Sequence, residues 1–170
     1  MGIEIDGLTV IKGGKTLLEI DHCHIPKGKN IAIIGPNGAG KSTFLHALLR
    51  LIERRSLSYR SIKIDGRSLD RYSTQTLAQT LAFLPQTQTI DPYMTVEMLV
   101  EMGRFPYRGR DAEQNESIIQ RALQLTEMTN FKTRKLGELS GGERQRAFFA
   151  SILAQNTPYL CLDEPASFLD

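Results

Sequence analysis

Gly35-Pro36-Asn37-Gly38-Ala39-Gly40-Lys41-Ser42-Thr43 stands between a short apolar run, residues 31–34, and a segment of helical composition that begins at Lys41. The run suits a strand buried on both faces, as in the centre of a parallel sheet. Glycines between such a strand and a helix start let backbone N–H groups turn inward around phosphate oxygens, and the positive end of the helix favours the added negative charge. The spacing Gly-x-x-x-x-Gly-Lys-Ser therefore predicts a cradle for the phosphates of a nucleoside triphosphate bound with Mg²⁺. In that cradle Lys41 reaches the β and γ phosphates, Ser42 offers its hydroxyl to Mg²⁺, and Thr43 meets the α phosphate at the first helical turn. A glycine-rich turn without a ligand is the alternative, and the flanking strand and helix weigh against it.

Upstream, apolar residues alternate in the strand manner: Ile3 and Ile5, Leu8 and Val10, then Leu18, Ile20 and Ile25, punctuated by Gly13-Gly14 and Pro26-Lys27-Gly28. This predicts antiparallel strands joined by turns. Downstream, residues 59–65 read as a strand closed by Asp65-Gly66, residues 74–81 as a short helix, and residues 81–84 as a strand stopped by Pro85. Residues 95–102 and 111–128 have helical periodicity, the second with Ile118, Ala122 and Leu125 on one face. A further helix from Gly141 to Gln155 leads through Asn156-Thr157-Pro158 into a second buried strand, residues 159–162. The chain shows no internal repeat and no low-complexity segment.

Tyr159-Leu160-Cys161-Leu162-Asp163-Glu164 puts two carboxylates at the end of an apolar strand, the edge of an α/β sheet where ligands collect. Asp163 is placed to hold Mg²⁺ through its water shell and Glu164 to polarise the water that attacks the γ phosphate. Two solvated acids opening a turn before Pro165 are the plainer alternative. Leu139-Ser140-Gly141-Gly142-Glu143 begins the last long helix, and Ser140 with Glu143 fits a capping box. Capping gives no reason for two adjacent glycines, which weaken a helix interior by about 1 kcal/mol each. Bare amides at a helix N-terminus suggest a second phosphate site. Since the chain already has its phosphate loop, the economical reading is that this helix faces a nucleotide held by another subunit.

Composition narrows the class. The 170 residues, 41% hydrophobic and 24% charged, are those of a globular domain with core enough to dispense with disulfides. The 21 basic and 19 acidic side chains are spread along the chain, which gives no case for a nucleic-acid partner. Cys23 and Cys161 have no Cys-x-x-Cys spacing, as expected of a reduced, cytosolic chain. The first residues show no export or lipidation pattern, and the longest apolar stretch, residues 147–154, is far too short to span a membrane. Membrane contact is expected only through a partner. His22 and His24 share one face of a strand, where a solvated face is expected over a metal pair.

On these motifs the sequence resembles the nucleotide-binding subunit of ABC transporters. The 35–43 segment matches the Walker A loop, Leu139 to Glu143 the signature, and Tyr159 to Glu164 the Walker B strand with its catalytic glutamate. Gln86, after Leu84-Pro85, matches the Q-loop glutamine, which in the family touches Mg²⁺ or the attacking water. Asp170 matches the D-loop aspartate that crosses the subunit interface. The resemblance implies an α/β fold: a P-loop NTPase, ABC-type nucleotide-binding domain with an antiparallel β subdomain and a helical subdomain. Residues 1–86 with 156–170 would form the ATP-binding core, including the antiparallel sheet and a parallel sheet holding the 31–34 and 159–162 strands. Residues 87–155 would form the helical subdomain.

Further implications concern partners. The family works as a head-to-tail homodimer or pseudo-dimer closing on two ATP molecules, each between one Walker A loop and the other subunit's Ser140, Gly141 and Gly142. Closure and hydrolysis drive membrane-spanning permease subunits, and a substrate-binding protein takes part indirectly. The expected place is peripheral, on the cytoplasmic face of the inner or plasma membrane. Residues 102–107 and 153–158 look like the importers of iron chelates, including siderophores and haem, and of vitamin B12. A soluble ABC ATPase of DNA repair or translation is the rival class.

The sequence also departs from the family pattern. It matches the N-terminal part of the family's domain, ends at the D-loop, and lacks the switch histidine, so binding without turnover is an expectation for these residues alone. Lys12 stands where the family stacks adenine on an aromatic ring, and Phe168 is bulkier than the usual D-loop residue.

Overall fold

The computed structural model describes residues 1–89, 91–109 and 112–164. They form two compact units, one over residues 1–73 and one from residue 74 onward.

The first unit is built on a long hairpin. Strand β1 (Gly2–Lys12) pairs antiparallel with β2 (Lys15–Pro26), and the two-residue connection Gly13-Gly14 has φ of 58° and 75°. Two positive φ values in a row match the twist of a hairpin turn and are strained for any residue with a Cβ. The buried face of β1 changes parity, from Ile3 and Ile5 to Leu8 and Val10, across Gly7 at φ 62°. Strict alternation would have exposed one of these pairs. On its other edge β1 meets β3 (Leu57–Ser58) and β4 (Ser61–Ile64), and β4 pairs with β5 (Arg67–Ser68) through an Asp65-Gly66 turn. The strand expected over 59–65 is thus β4 alone, four residues long, with residues 59 and 60 outside any strand. Helix α1 (Lys41–Leu48) contributes Phe44, Ala47 and Leu48 to the core of this unit.

Residues 31–34 correct the sequence expectation of a doubly buried strand. They form no strand, and Ile31, Ile33 and Ile34 are 52%, 45% and 92% exposed. A parallel strand exists only through ladder bonds to its neighbours. Among the described residues no ladder reaches this segment, and the one parallel pairing lies in the second unit.

That pairing joins β6 (Leu81–Leu84) to β7 (Tyr159–Leu162), with Leu81 opposite Tyr159 and Leu84 opposite Leu162. The ladder runs on at both ends, since Tyr159 N–H donates to Thr80 O and Asp163 N–H to Leu84 O. Short helix α2 (Thr74–Ala78) precedes β6. Beyond it come α3 (Val96–Met102), capped by Thr95 whose hydroxyl accepts from Met98 N–H, then α4 (Ala112–Leu125) and α5 (Gly141–Gln155). The three helices share one core with Leu84, Val96, Val100, Leu123, Met128, Leu136, Ala147 and Phe148 among its members. Each fully buried Leu or Val contributes about 1.5–3 kcal/mol. The buried stripe of α4 is Ile119, Ala122 and Leu123, whereas Leu125 is 66% exposed. Sequence periodicity placed Ile118, Ala122 and Leu125 inward. Both sets satisfy helical spacing, and packing selects the one that meets α3 and α5.

Candidate functional site

The 35–43 loop has the backbone its glycines permit. Gly38 at φ 82° and Gly40 at φ 90° are left-handed, and Ala39 N–H closes a turn onto Pro36 O at 3.1 Å. A Cβ on Gly40 would press against Leu17 O at 2.9 Å, so this position requires glycine for space as well as for φ. Around Gly38 a Cβ would meet nothing within 4 Å, which leaves the mouth of the loop open. Gly40 is the N-cap of α1 and offers no capping side chain.

Lys41 folds back over this mouth. Its Nζ donates to Gly35 O at 2.9 Å and to Pro36 O at 3.0 Å, with Asn37 and Ala39 exposed beside it and Ser42 and Thr43 half-buried below. A left-handed amide loop, an ammonium group held by two neutral carbonyls and two hydroxyls in the first helical turn form a donor set suited to phosphate. Mg²⁺ takes hard oxygen donors, and the Ser42 hydroxyl and the Asp163 carboxylate are of that kind.

In the second unit, the shared register of β6 and β7 brings Gln86 and Glu164 together. Gln86 Nε2 donates to Glu164 Oε2 at 2.6 Å, and Glu164 holds φ 48°, a left-handed value for a residue with a full side chain. Such a backbone costs about 1–3 kcal/mol and is kept where surroundings enforce it. Asp163, one residue earlier, is only 7% exposed. Cys161 is also buried, and burial pushes its thiol up to about 11.

At the start of α5 the capping box is complete. Glu143 N–H donates to Ser140 Oγ at 3.3 Å, while Ser140 N–H and Oγ–H both donate to Glu143 Oε2 at 2.8 Å. These bonds, the backbone one first, hold the Glu143 carboxyl below its ordinary range. Gly141 and Gly142 are exposed, and a Cβ on either would meet nothing within 4 Å. Internal packing therefore gives no reason for glycine at either place, and their open amides remain directed at solvent.

Other sequence candidates separate. Asp170 and Phe168 lie outside the described residues. Lys12 is exposed at the hairpin tip. His22 and His24 are exposed on β2 opposite Asp6 and Glu4, and Asp6 is engaged by Arg60 at 2.8 Å. No group of three or more His, Cys, Asp or Glu among the described residues could hold a metal ion. Sequence reasoning missed Arg104, which is 8% exposed among the second unit's helices. Arginine is almost never fully buried unless paired, and the signal available was its place directly after an apolar helix and a glycine.

Comparison with known proteins agrees with these motifs. The ABC transporter family model matches residues 18–167, and the chain belongs to that family. It is 40% identical to the petrobactin import ATP-binding protein YclP of Bacillus subtilis, over 99% of this chain and 66% of the relative. It is 39% identical to the iron(3+)-hydroxamate import ATP-binding protein FhuC of Bacillus subtilis, over 93% and 59%. With the hemin import ATP-binding protein HmuV of Streptomyces coelicolor it shares 39% identity, over 96% and 58%. The chain thus spans 58% to 66% of the length of these curated relatives. Among solved structures, the ATP-binding subunit of an ABC transporter has the same fold, at TM-score 0.79 and 23% identity over 98% of this chain and 68% of that one. A metal-chelate type ABC transporter in an inward-facing conformation matches at TM-score 0.77 and 25% identity, over 99% of this chain and 62% of that one.

Proposed function

We propose that the chain belongs to the ATP-binding and hydrolysing subunit of an importer for an iron-siderophore or related iron chelate. The reading of hydrolysis is carried by the Gln86–Glu164 contact, which holds a carboxylate at the end of an apolar strand beside a carboxamide matching the Q-loop glutamine. Import of an iron chelate is supported by relatives whose names specify petrobactin, iron(3+)-hydroxamate and hemin import.

In this reading Gly35, Pro36, Asn37, Gly38, Ala39 and Gly40 wrap the ATP phosphates, Lys41 neutralises the β and γ groups, and Thr43 meets the α phosphate. Ser42, Gln86 and Asp163 would hold Mg²⁺, which when bound draws charge off the phosphate oxygens. Glu164 accepts the proton of the attacking water. Ser140, Gly141 and Gly142 complete the site of a second ATPase subunit, with Asp170 at the interface between the two. Residues 1–86 and 156–170 act as the ATP-binding core and 87–155 as the helical subdomain. The subunit is peripheral on the cytoplasmic face of the membrane, against permease subunits served by a substrate-binding protein. No helix among the described residues is long and apolar enough to cross a membrane.

The test is ATP-dependent uptake of radiolabelled ferric siderophore into vesicles holding the permease and this subunit. Uptake that survives Glu164→Gln would refute the assignment of Glu164, and co-purification with ribosomes or DNA instead of a permease would favour a soluble ABC ATPase.

A further inference from the structure

Arg104 sits where the end of α3 meets the C-terminal end of α5. Its Nη1 donates to Ala154 O at 2.7 Å and to Gln155 O at 3.5 Å, and its Nε donates to Asn115 Oδ1 of α4 at 2.9 Å. The guanidinium lies 3.9 Å from the centroid of the Tyr107 ring, and Tyr107 OH donates to Asn156 O at 3.4 Å. Gly103 brings the chain in so closely that a Cβ there would collide with Ser151 O of α5. Pro106 O then accepts from Gln75 and Gln79, at 2.9 and 2.6 Å. On the other side Gln155 Nε2 donates to Ala78 O at 2.5 Å and Leu81 O at 3.4 Å.

The last carbonyls of a helix have no intrahelical partner and carry partial negative charge. A planar, permanently charged fork answers both needs at once, which a lysine does not. Burying that charge is tolerable only because the carbonyls, the Asn115 amide and the ring surround it.

We propose that Arg104 is a positioning residue for ATP hydrolysis. It fixes α5 at its C-terminal end, so that Ser140, Gly141 and Gly142 at the other end keep the direction needed to reach a nucleotide on a partner subunit. The proposal rests on the function given above. Its physical basis is leverage: 15 residues of helix form a rod about 22 Å long, and a tilt of about 10° at one end moves the other by about 4 Å. Hydrogen bonds from amides to phosphate oxygens are lost over far smaller displacements. The same anchor fixes the start of β7, because only Asn156, Thr157 and Pro158 separate α5 from it.

The experiment compares wild type, Arg104→Ala and Arg104→Lys in the protein assembled with its permease. Expected are an ATP Kd within about twofold of wild type, a kcat lowered about tenfold or more in Arg104→Ala, and only partial recovery in Arg104→Lys. Guanidinium ion added to Arg104→Ala should restore part of kcat. Wild-type kcat in Arg104→Ala overturns the proposal. So does a parallel loss of ATP affinity and melting temperature, which is what a purely structural arginine would give. Amide hydrogen exchange on the same proteins needs no turnover: faster exchange confined to the last turn of α5 and the start of β7 is expected, and unchanged exchange there overturns the anchor. If the wild-type assembly itself hydrolyses no ATP, the proposed function fails, and exchange still decides the anchor.

Discussion

Gln86 and Glu164 lie 78 residues apart in sequence and are joined by a hydrogen bond of 2.6 Å. Each stands two residues beyond a paired leucine, Leu84 on β6 and Leu162 on β7, so the parallel register carries both side chains to one place. Glu164→Gln keeps the shape and removes the carboxylate proposed as the base. It should leave ATP affinity unchanged and lower kcat by about 10²–10⁴. Single-turnover hydrolysis beside equilibrium nucleotide binding checks this, and turnover at the wild-type rate would rule Glu164 out.

Lys41 now spends its charge on two neutral carbonyls of its own loop, at 2.9 and 3.0 Å. Exchange of these for phosphate oxygens converts them to fully ionic bonds. Lys41→Ala should therefore weaken ATP binding by about 100-fold or more, at about 1.5–3 kcal/mol for each charged hydrogen bond lost. Titration calorimetry with ATP and Mg²⁺ reads the effect directly.

Ser140 and Glu143 cap α5 reciprocally, and Ser140→Ala should cost about 1 kcal/mol. The pH dependence follows from the lowered Glu143 carboxyl. Because the folded value is depressed, the cap's stabilisation is present above the ordinary carboxylate range and is lost as pH falls through the folded value. Urea melts from pH 7 down to pH 3 should show a smaller acid loss in Ser140→Ala than in wild type.

Cys161 should resist alkylation at pH 8 while the half-buried Cys23 reacts, since burial raises the Cys161 thiol from 9.0 to about 11. Below pH 9 both states keep the proton. Between pH 9 and 11 the unfolded chain loses it first, so stability falls with rising pH by up to about 3 kcal/mol. Mass-resolved labelling with iodoacetamide, in native buffer and in urea, distinguishes the two thiols. Equal native rates would contradict the burial.

Local motifs were the legible part. The phosphate loop, the start of α5 and the carboxylates after β7 are each set by neighbours in sequence, and Gly141–Gln155 ends where the sequence predicts. Legibility failed where distant segments decide. Residues 31–34 are apolar enough for a strand, yet strand formation needs a ladder partner that the run itself cannot specify. Ile118 and Ile119 both lie on plausible apolar faces of α4, and only contact with α3 and α5 chooses between them. Arg104 is legible only as part of the 102–107 stretch, since the carbonyls of Ala154 and Gln155 that it meets lie some 50 residues away in sequence.

The β6–β7 register also governs how this gene can change length. Leu81 to Leu84 pair in step with Tyr159 to Leu162, and Gln86 and Glu164 each follow two residues beyond the last pair, so one codon gained or lost in either segment would break the match that brings the carboxamide to the carboxylate. Loops between the helices carry no such phase, and insertions there leave the step intact. Lineages of this protein should therefore drift in loop length while these two six-residue stretches keep theirs.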